Sequence, residues 1–241
     1  MRGFLDKTKY SAMDVYAPVV NGDVIRWTFS TAVKFNMRIY AIDVCTAFLY
    51  GDIQSPVYID VPKGVVCDNK NTLALLLLKS MYGLRVSSKN WFTKFTNVLF
   101  QLDFINLITD QCVFYKEVDG KRIIIVIYVD DCLIAASDPV MADDLINCLS
   151  EIFKIKVMDH PKIFLGLQIT RHTEFTTLNQ SIYIERLANK FGLEDSNPIS
   201  TPMENKLSIQ RTGVPSEEPD LRSLIGGLLF IARNMRSDVL F

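Results

Sequence analysis

A run of β-branched residues ending in two adjacent carboxylates is the strongest constraint on what this chain can fold into. Ile123, Ile124, Ile125, Val126 and Ile127 lead without a break into Tyr128 and Val129; Asp130 and Asp131 follow, and Leu133 to Ala136 resume the apolar pattern. Such residues favour a pleated backbone, and two such runs around a two-residue polar break predict a tight hairpin. Its tip would carry both carboxylates. Like charges a few ångströms apart repel, and the usual turn pairs are Asn-Gly and Asp-Gly, so this pair needs a reason beyond turn propensity. A divalent cation supplies one, because hard cations take carboxylate oxygens. A solvated turn is the plain alternative, since aspartate is common in turns.

A third carboxylate strengthens the cation reading. Arg38, Ile39, Tyr40, Ala41, Ile42, Asp43 and Val44 form another short strand-like run with an isolated acid near its end. Two adjacent strands would bring Asp43, Asp130 and Asp131 to one end of a sheet. Two or three carboxylates completed by substrate phosphates make a Mg²⁺ site, and paired ions stabilise the attacking and leaving oxygens of a phosphoryl transfer.

These residues resemble a known family. YVDDCLIAA (Tyr128 to Ala136) is similar to the catalytic hairpin of reverse transcriptases, and AIDVCTAFLYGDI (Ala41 to Ile53) to the first catalytic strand of the copia-type retrotransposon enzymes. In the same order come DVYAPVV (Asp14 to Val20), VYIDVPKGV (Val57 to Val65), LLKSMYGL (Leu77 to Leu84) with NWF (Asn90 to Phe92), FLGLQI (Phe164 to Ile169), STPM (Ser200 to Met203) and LRSLIGGLLFIA (Leu221 to Ala232). Each piece is weak alone, but together they span nearly the whole chain in register.

The resemblance implies an RNA-directed DNA polymerase that transfers a dNTP onto a primer 3′-OH with two Mg²⁺ ions, Mn²⁺ being a possible substitute. It implies Asp43 and Asp130 as the main metal ligands and Asp131 as the third catalytic carboxylate. Phe48 falls where the family places an aromatic beneath the incoming sugar, a ring that would clash with a ribose 2′-OH; a core aromatic is the plain alternative. Tyr82 and Gly83 fall on the nucleotide pocket. Phe164, Leu165 and Gly166 fall on the loop that grips the primer, although a buried strand with a bulge glycine also explains them. The implied partners are an RNA or DNA template with its primer, dNTPs and other segments of a retroelement polyprotein. The implied setting is the cytoplasm or a virus-like particle.

Composition fits a globular intracellular enzyme. With 241 residues, 49% hydrophobic and 22% charged, the chain can bury one large core or two modest ones. Its longest apolar runs, such as Leu73 to Leu78, fall far short of the roughly 18 residues a bilayer requires, and no signal-peptide pattern opens at Met1. Cys45, Cys67, Cys112, Cys132 and Cys148 are odd in number and lack C-x-x-C spacing, so reduced, buried thiols are expected. His160 and His172 are the only histidines, which argues against zinc.

A net charge of −1 gives no overall attraction to phosphate, so the distribution of charge matters more than its sum. Lys79, Arg85, Lys89 and Lys94 lie in one stretch without an acid. A phosphate-tracking face and an ordinary solvated one explain them equally well. Arg26 and Lys89 are the candidate phosphate contacts.

The periodicity predicts helices on Ile25, Phe29, Ala32 and Val33, on Trp91, Phe95, Val98, Leu99 and Leu102 after a Ser87–Ser88 cap, and on Leu145, Ile146, Leu149 and Ile152 after Asp138 and Pro139. A strand is expected at Ile163 to Ile169. Further helices are expected at Ile182 to Phe191 and Leu221 to Arg233, separated by a polar linker over 197–219. The fold class is α+β, an antiparallel sheet with helices on one face. It agrees with a right-hand polymerase palm with partial fingers over 1–170, and the end of the palm, a linker and the start of a thumb or connection over 171–241.

The chain departs from the family pattern at Val86 and Ser88, where the family usually has Gln and Pro, and at Ser237, where it usually has Pro. By the resemblance, the N-terminal fingers strands are absent, which reads as a polyprotein fragment whose activity is in question. Two other classes stay open: an inactive remnant or nucleic-acid-binding module, and a metal-dependent nuclease, which would also use three carboxylates but gives no role to Phe48.

Overall fold

The computed structural model describes residues 10–62, 64–65, 73–197, 199 and 221–240. The chain divides into two compact units, Met1–His160 and Pro161–Phe241. The first holds, in order, α1 (Ala12–Val15), α2 (Gly22–Lys34), β1 (Arg38–Val44), a 3₁₀ turn at Ala47–Tyr50, β2 (Tyr58–Asp60), β3 (Ala74–Leu76), α3 (Ser87–Gln101), β4 (Ile105–Leu107), β5 (Asp110–Val118), β6 (Lys121–Tyr128), β7 (Asp131–Ala136), α4 (Pro139–Ile152) and β8 (Ile155–Asp159). The second holds β9 (Ile163–Phe164), β10 (Leu167–Arg171), β11 (Thr176–Asn179), α5 (Ser181–Lys190) and α6 (Leu221–Asn234).

The first unit is built on a six-stranded sheet in the order β4-β5-β6-β7-β1-β8, with every neighbouring pair antiparallel. Its two central strands are the apolar runs of the sequence, and they show no alternation. Ile123 to Ile127 and Cys132 to Ala136 are all buried. A sheet covered on one face alternates buried and exposed residues, so at β6 and β7 the expectation of one covered face is too narrow.

The helices form where the periodicity places them, with changes at their edges. α2 is capped by Asn21 and buries Ile25, Thr28, Phe29 and Ala32. Val33 stays exposed, and Thr28 takes the inner position by donating its hydroxyl to the Val24 carbonyl at 2.8 Å. α3 begins after Val86, so Ser87 and Ser88 occupy its first turn instead of capping it. The Ser87 hydroxyl donates to the Met81 carbonyl at 2.7 Å. α4 has the expected Asp138 cap and Pro139 at its start, with Ala142 buried and Ile152 exposed.

Trp91, Phe95 and Phe153 are fully buried, and with Tyr50 they form an aromatic cluster whose ring centroids lie 5.1–6.3 Å apart. Each buried ring contributes on the order of 2–3 kcal/mol, and together they bring α3, the 3₁₀ turn and the end of α4 to one place. Gly51 allows this approach: a Cβ there would stand 3.0 Å from the Trp91 backbone nitrogen.

In the second unit the expected single strand at Ile163 to Ile169 is instead a hairpin. Phe164 pairs with Leu167 across the two-residue turn Leu165-Gly166, and both turn residues have positive φ, 47° and 79°, the I′ pattern. Gly192 at φ 65° follows α5. Gly227 on α6 makes room for Leu187 of α5, whose Cδ1 would lie 2.6 Å from a Cβ. The linker at 197–219 and the STPM segment lie mostly or wholly outside the described residues.

Asp119 and Gly120 form the β5–β6 turn with φ 52° and 76°, and nothing lies within 4 Å of a Cβ at Gly120. Gly120→Ala therefore introduces backbone strain without a clash. It is expected to lower unfolding free energy by about 1 kcal/mol, read as the midpoint of urea denaturation.

Candidate active site

The site is assembled by strand register. β1 runs antiparallel to β7 so that Asp43 faces Asp131, while Tyr128 pairs with Asp131 across the β6–β7 turn. The two turn residues are therefore Val129 and Asp130, and Asp131 belongs to β7. The sequence expectation of two acids in the turn is off by one residue.

The cause is Val129. Its φ of 55° puts a β-branched residue in the left-handed region, where it is a steric outlier. Two hydrogen bonds hold it there. The Trp91 indole N–H of α3 donates to the Val129 carbonyl at 2.7 Å, and the Val44 N–H of β1 donates to the Asp130 carbonyl at 2.8 Å. The turn is thus fastened from below by α3 and from the side by β1.

Asp130 is half-buried. Its Oδ2 accepts from the Tyr82 hydroxyl at 3.0 Å, and its Oδ1 is buried without a hydrogen-bond partner. Burial, with a further contribution from Asp43, pushes its carboxyl above the ordinary range against the lowering effect of Tyr82. Asp131 is raised by burial and then by its two acidic neighbours. Asp43 is flanked by Lys156, whose Nζ stands 3.5 Å from Oδ2 and whose backbone is its register partner on β8.

These residues fit a hard divalent cation in donor chemistry. They offer carboxylate oxygens, one of which is buried and orphaned, a cost that an ion would relieve. Among the described residues no group of three or more His, Cys, Asp or Glu is arranged to hold an ion by itself.

Phe48 lies on the 3₁₀ turn that follows β1, and its ring packs on Tyr82 with centroids 4.6 Å apart. Tyr82 is held by its neighbours: Ser80 N–H donates to the Gly51 carbonyl at 2.9 Å, and Asn90 Nδ2 to Ser80 Oγ at 2.9 Å. Gly83 has φ 95° and turns the chain toward α3. Arg26 pairs with Asp23 on its own helix, and Lys89 stands 3.9 Å from Asp14. Phe164 is buried, and Leu165 and Gly166 form the turn described above, all in the second unit.

The supposed cationic stretch is largely neutralised. Lys79 and Lys94 both pair with Asp52, and Lys89 with Asp14, acids that lie outside the stretch in sequence. Cys112 and Cys132 are buried, and burial pushes both thiols up, Cys112 to about 12; Cys45 and Cys148 are half-buried, and Cys67 lies outside the described residues. No described helix is long and apolar enough to cross a membrane.

Sequence reading placed Trp91 on a core stripe but missed its bond to the hairpin turn, and it missed Lys156. A lone cation between Ile155 and Val157 is a signal only once β8 is known to pair with β1.

The family model for reverse transcriptase (RNA-dependent DNA polymerase) matches residues 1–205. The chain belongs to the reverse transcriptase family. It is 28% identical over 99% of its length to the retrovirus-related Pol polyprotein from transposon TNT 1-94 of Nicotiana tabacum, and spans 19% of that protein. A transposon Ty5-1 protein of Saccharomyces cerevisiae is 28% identical over 82% of the chain, which covers 65% of that relative. A telomerase structure from Candida albicans covers 96% of the chain and is itself 44% covered, at 13% identity and a TM-score of 0.37, a likeness too low to argue from. The tobacco relative is a polyprotein of which this chain corresponds to one part.

Trp91→Phe keeps a ring in the cluster but leaves the Val129 carbonyl without its donor. A loss of about 1–3 kcal/mol in unfolding free energy is expected, measured by urea denaturation.

A carboxyl raised in the folded state is destabilising where it must ionise. Stability is fully present below the unfolded value near 3.8 and is lost as pH rises through the folded value. Metal-free Asp131→Asn is therefore expected to be more stable than wild type at neutral pH, with the gain fading as the medium is acidified toward pH 3.8. Thermal unfolding in EDTA across that range checks the sign.

Proposed function

We propose that this chain is the RNA-directed DNA polymerase segment of a copia-type retrotransposon polyprotein, transferring a deoxynucleotide to a primer 3′-OH. The observation that carries this reading is the buried, unpartnered Oδ1 of Asp130 beside the facing pair Asp43 and Asp131. Membership of the family supports it.

Asp43, Asp130 and Asp131 would hold two Mg²⁺ ions, or Mn²⁺ in their place. Bound there, the ions would supply Lewis-acid activation of the attacking 3′-oxygen and charge stabilisation of the pyrophosphate that leaves when the 3′-oxygen bonds to the α-phosphorus. The chain's own residues set the stage for that chemistry. The Trp91 and Val44 bonds fix the hairpin, so the carboxylates are placed before substrate arrives, which removes reorganisation from the reaction step. Phe48, backed by Tyr82, presents a ring that would exclude a ribose 2′-OH, and Tyr82 and Gly83 would line the nucleotide pocket. Arg26 and Lys89 would meet phosphates, Lys89 after release from Asp14. Phe164, Leu165 and Gly166 would grip the primer. In this reading residues 1–170 are the palm with part of the fingers, and 171–241 are the end of the palm, a linker and the start of the thumb or connection. A nuclease would need the carboxylates too, but it gives no role to the Phe48–Tyr82 stack.

The test is dNTP incorporation on poly(rA)/oligo(dT) with Mg²⁺ or Mn²⁺, comparing wild type with Asp130→Asn. Incorporation is expected in wild type and should fall by on the order of a hundredfold or more in the variant. No incorporation by the wild-type chain would overturn polymerase activity for this segment, and nucleotide release without incorporation would favour the nuclease.

A further inference from the structure

We propose that Tyr82 is a positioning residue that links the aromatic sugar gate to the metal-side carboxylate, so that displacement of Phe48 is transmitted to Asp130. The inference rests on the metal-binding reading of Asp130 given above and goes beyond pocket lining for Tyr82.

Two contacts make the link. The Tyr82 hydroxyl donates to Asp130 Oδ2 at 3.0 Å. The ring of Tyr82 meets the ring of Phe48 at a 4.6 Å centroid distance and a 31° tilt. Phe48 is therefore joined to Tyr82 through the rings, and Tyr82 is joined to Asp130 by a charge-assisted bond, a strong type of hydrogen bond.

The link is stiff at its base. Ser80 is tied to Gly51 and to Asn90, and the Ser87 hydroxyl holds the Met81 carbonyl at 2.7 Å. A segment anchored at Ser80 and at the Met81 carbonyl, just before Tyr82, resists sliding when the Phe48 ring is pushed. The response concentrates in the Tyr82 side chain, and its hydroxyl is the group that reaches the carboxylate.

The bond also decides which oxygen of Asp130 is available. With Oδ2 engaged by Tyr82, Oδ1 is the atom left without a partner. The hydroxyl thus leaves Oδ1 as the oxygen that would meet an ion, the role that outer-shell partners play in metal sites, where their removal typically weakens metal binding ten- to a hundredfold. A ribonucleotide whose 2′-OH displaced Phe48 would then disturb the geometry of a metal ligand as well as the fit of the sugar.

The experiment measures Mn²⁺ affinity of the whole chain without nucleotide, by calorimetry or electron paramagnetic resonance, for wild type, Tyr82→Phe, Phe48→Ala, the double variant and Asp130→Asn. Tyr82 is 43% exposed, so loss of its hydroxyl leaves the core intact, and circular dichroism confirms folding. Tyr82→Phe is expected to weaken Mn²⁺ about tenfold. Phe48→Ala, which removes no ligand, is expected to weaken it several-fold in the wild-type background and to add nothing to Tyr82→Phe, the mark of coupled residues.

Wild-type affinity in Tyr82→Phe, or additive effects of the two substitutions, would overturn the link. Asp130→Asn separates the two readings. If it loses Mn²⁺ while Tyr82→Phe does not, only the link fails; if it binds Mn²⁺ like wild type, or if wild type binds none, the metal reading fails and the link falls with it.

Discussion

The hydrogen bond from the Trp91 indole to the Val129 carbonyl is the contact on which the site depends. A valine at φ 55° costs free energy that local preference does not return. The bond to α3, together with the Val44 bond from β1, holds the turn in that state. Trp91 can do this because it is itself immobilised among Phe95, Tyr50 and Phe153, where Gly51 lets the helix come close. The strained turn, the aromatic cluster and the missing Cβ of Gly51 are parts of one arrangement, and its product is the position of Asp130.

That position is electrostatically unfavourable in the metal-free chain. Asp130 and Asp131 are both raised by burial, with Asp43 adding repulsion, and Lys156 offsets part of the charge at Asp43. Carboxylates raised by burial and by one another are a recurrent feature of functional sites. Elsewhere acids are paired with cations: Asp52 with Lys79 and Lys94, Asp159 with Arg38, Asp138 with Lys121. The contrast between satisfied acids at the periphery and an orphaned oxygen at the hairpin supports a binding role for the hairpin.

Much of this was legible before any coordinates. The apolar run from Ile123, the acids at Asp130 and Asp131, and the isolated Asp43 pointed to adjoining strands with carboxylates at one end, and the register of β1 against β7 agrees. The Asp138–Pro139 start of α4 followed from capping chemistry alone. Three features were not legible. The turn slipped by one residue because no local rule places valine in a left-handed conformation. The Ile163 to Ile169 strand split because Leu165 adopts a φ that leucine avoids by itself. The cations from Lys79 to Lys94 looked unopposed because their partners, Asp52 and Asp14, lie outside that stretch of sequence.

The sequence by itself determined the element types, the apolar faces and the family, since these depend on periodicity, caps and motif order, which are local or additive along the chain. Only the tertiary structure decided which oxygen of Asp130 is left free, that Lys156 faces Asp43, and that Tyr82 bridges Phe48 to the hairpin. Each of these depends on residues far apart in the chain meeting within about 3–4 Å, and such contacts follow from strand register and helix packing, to which no single stretch of sequence refers.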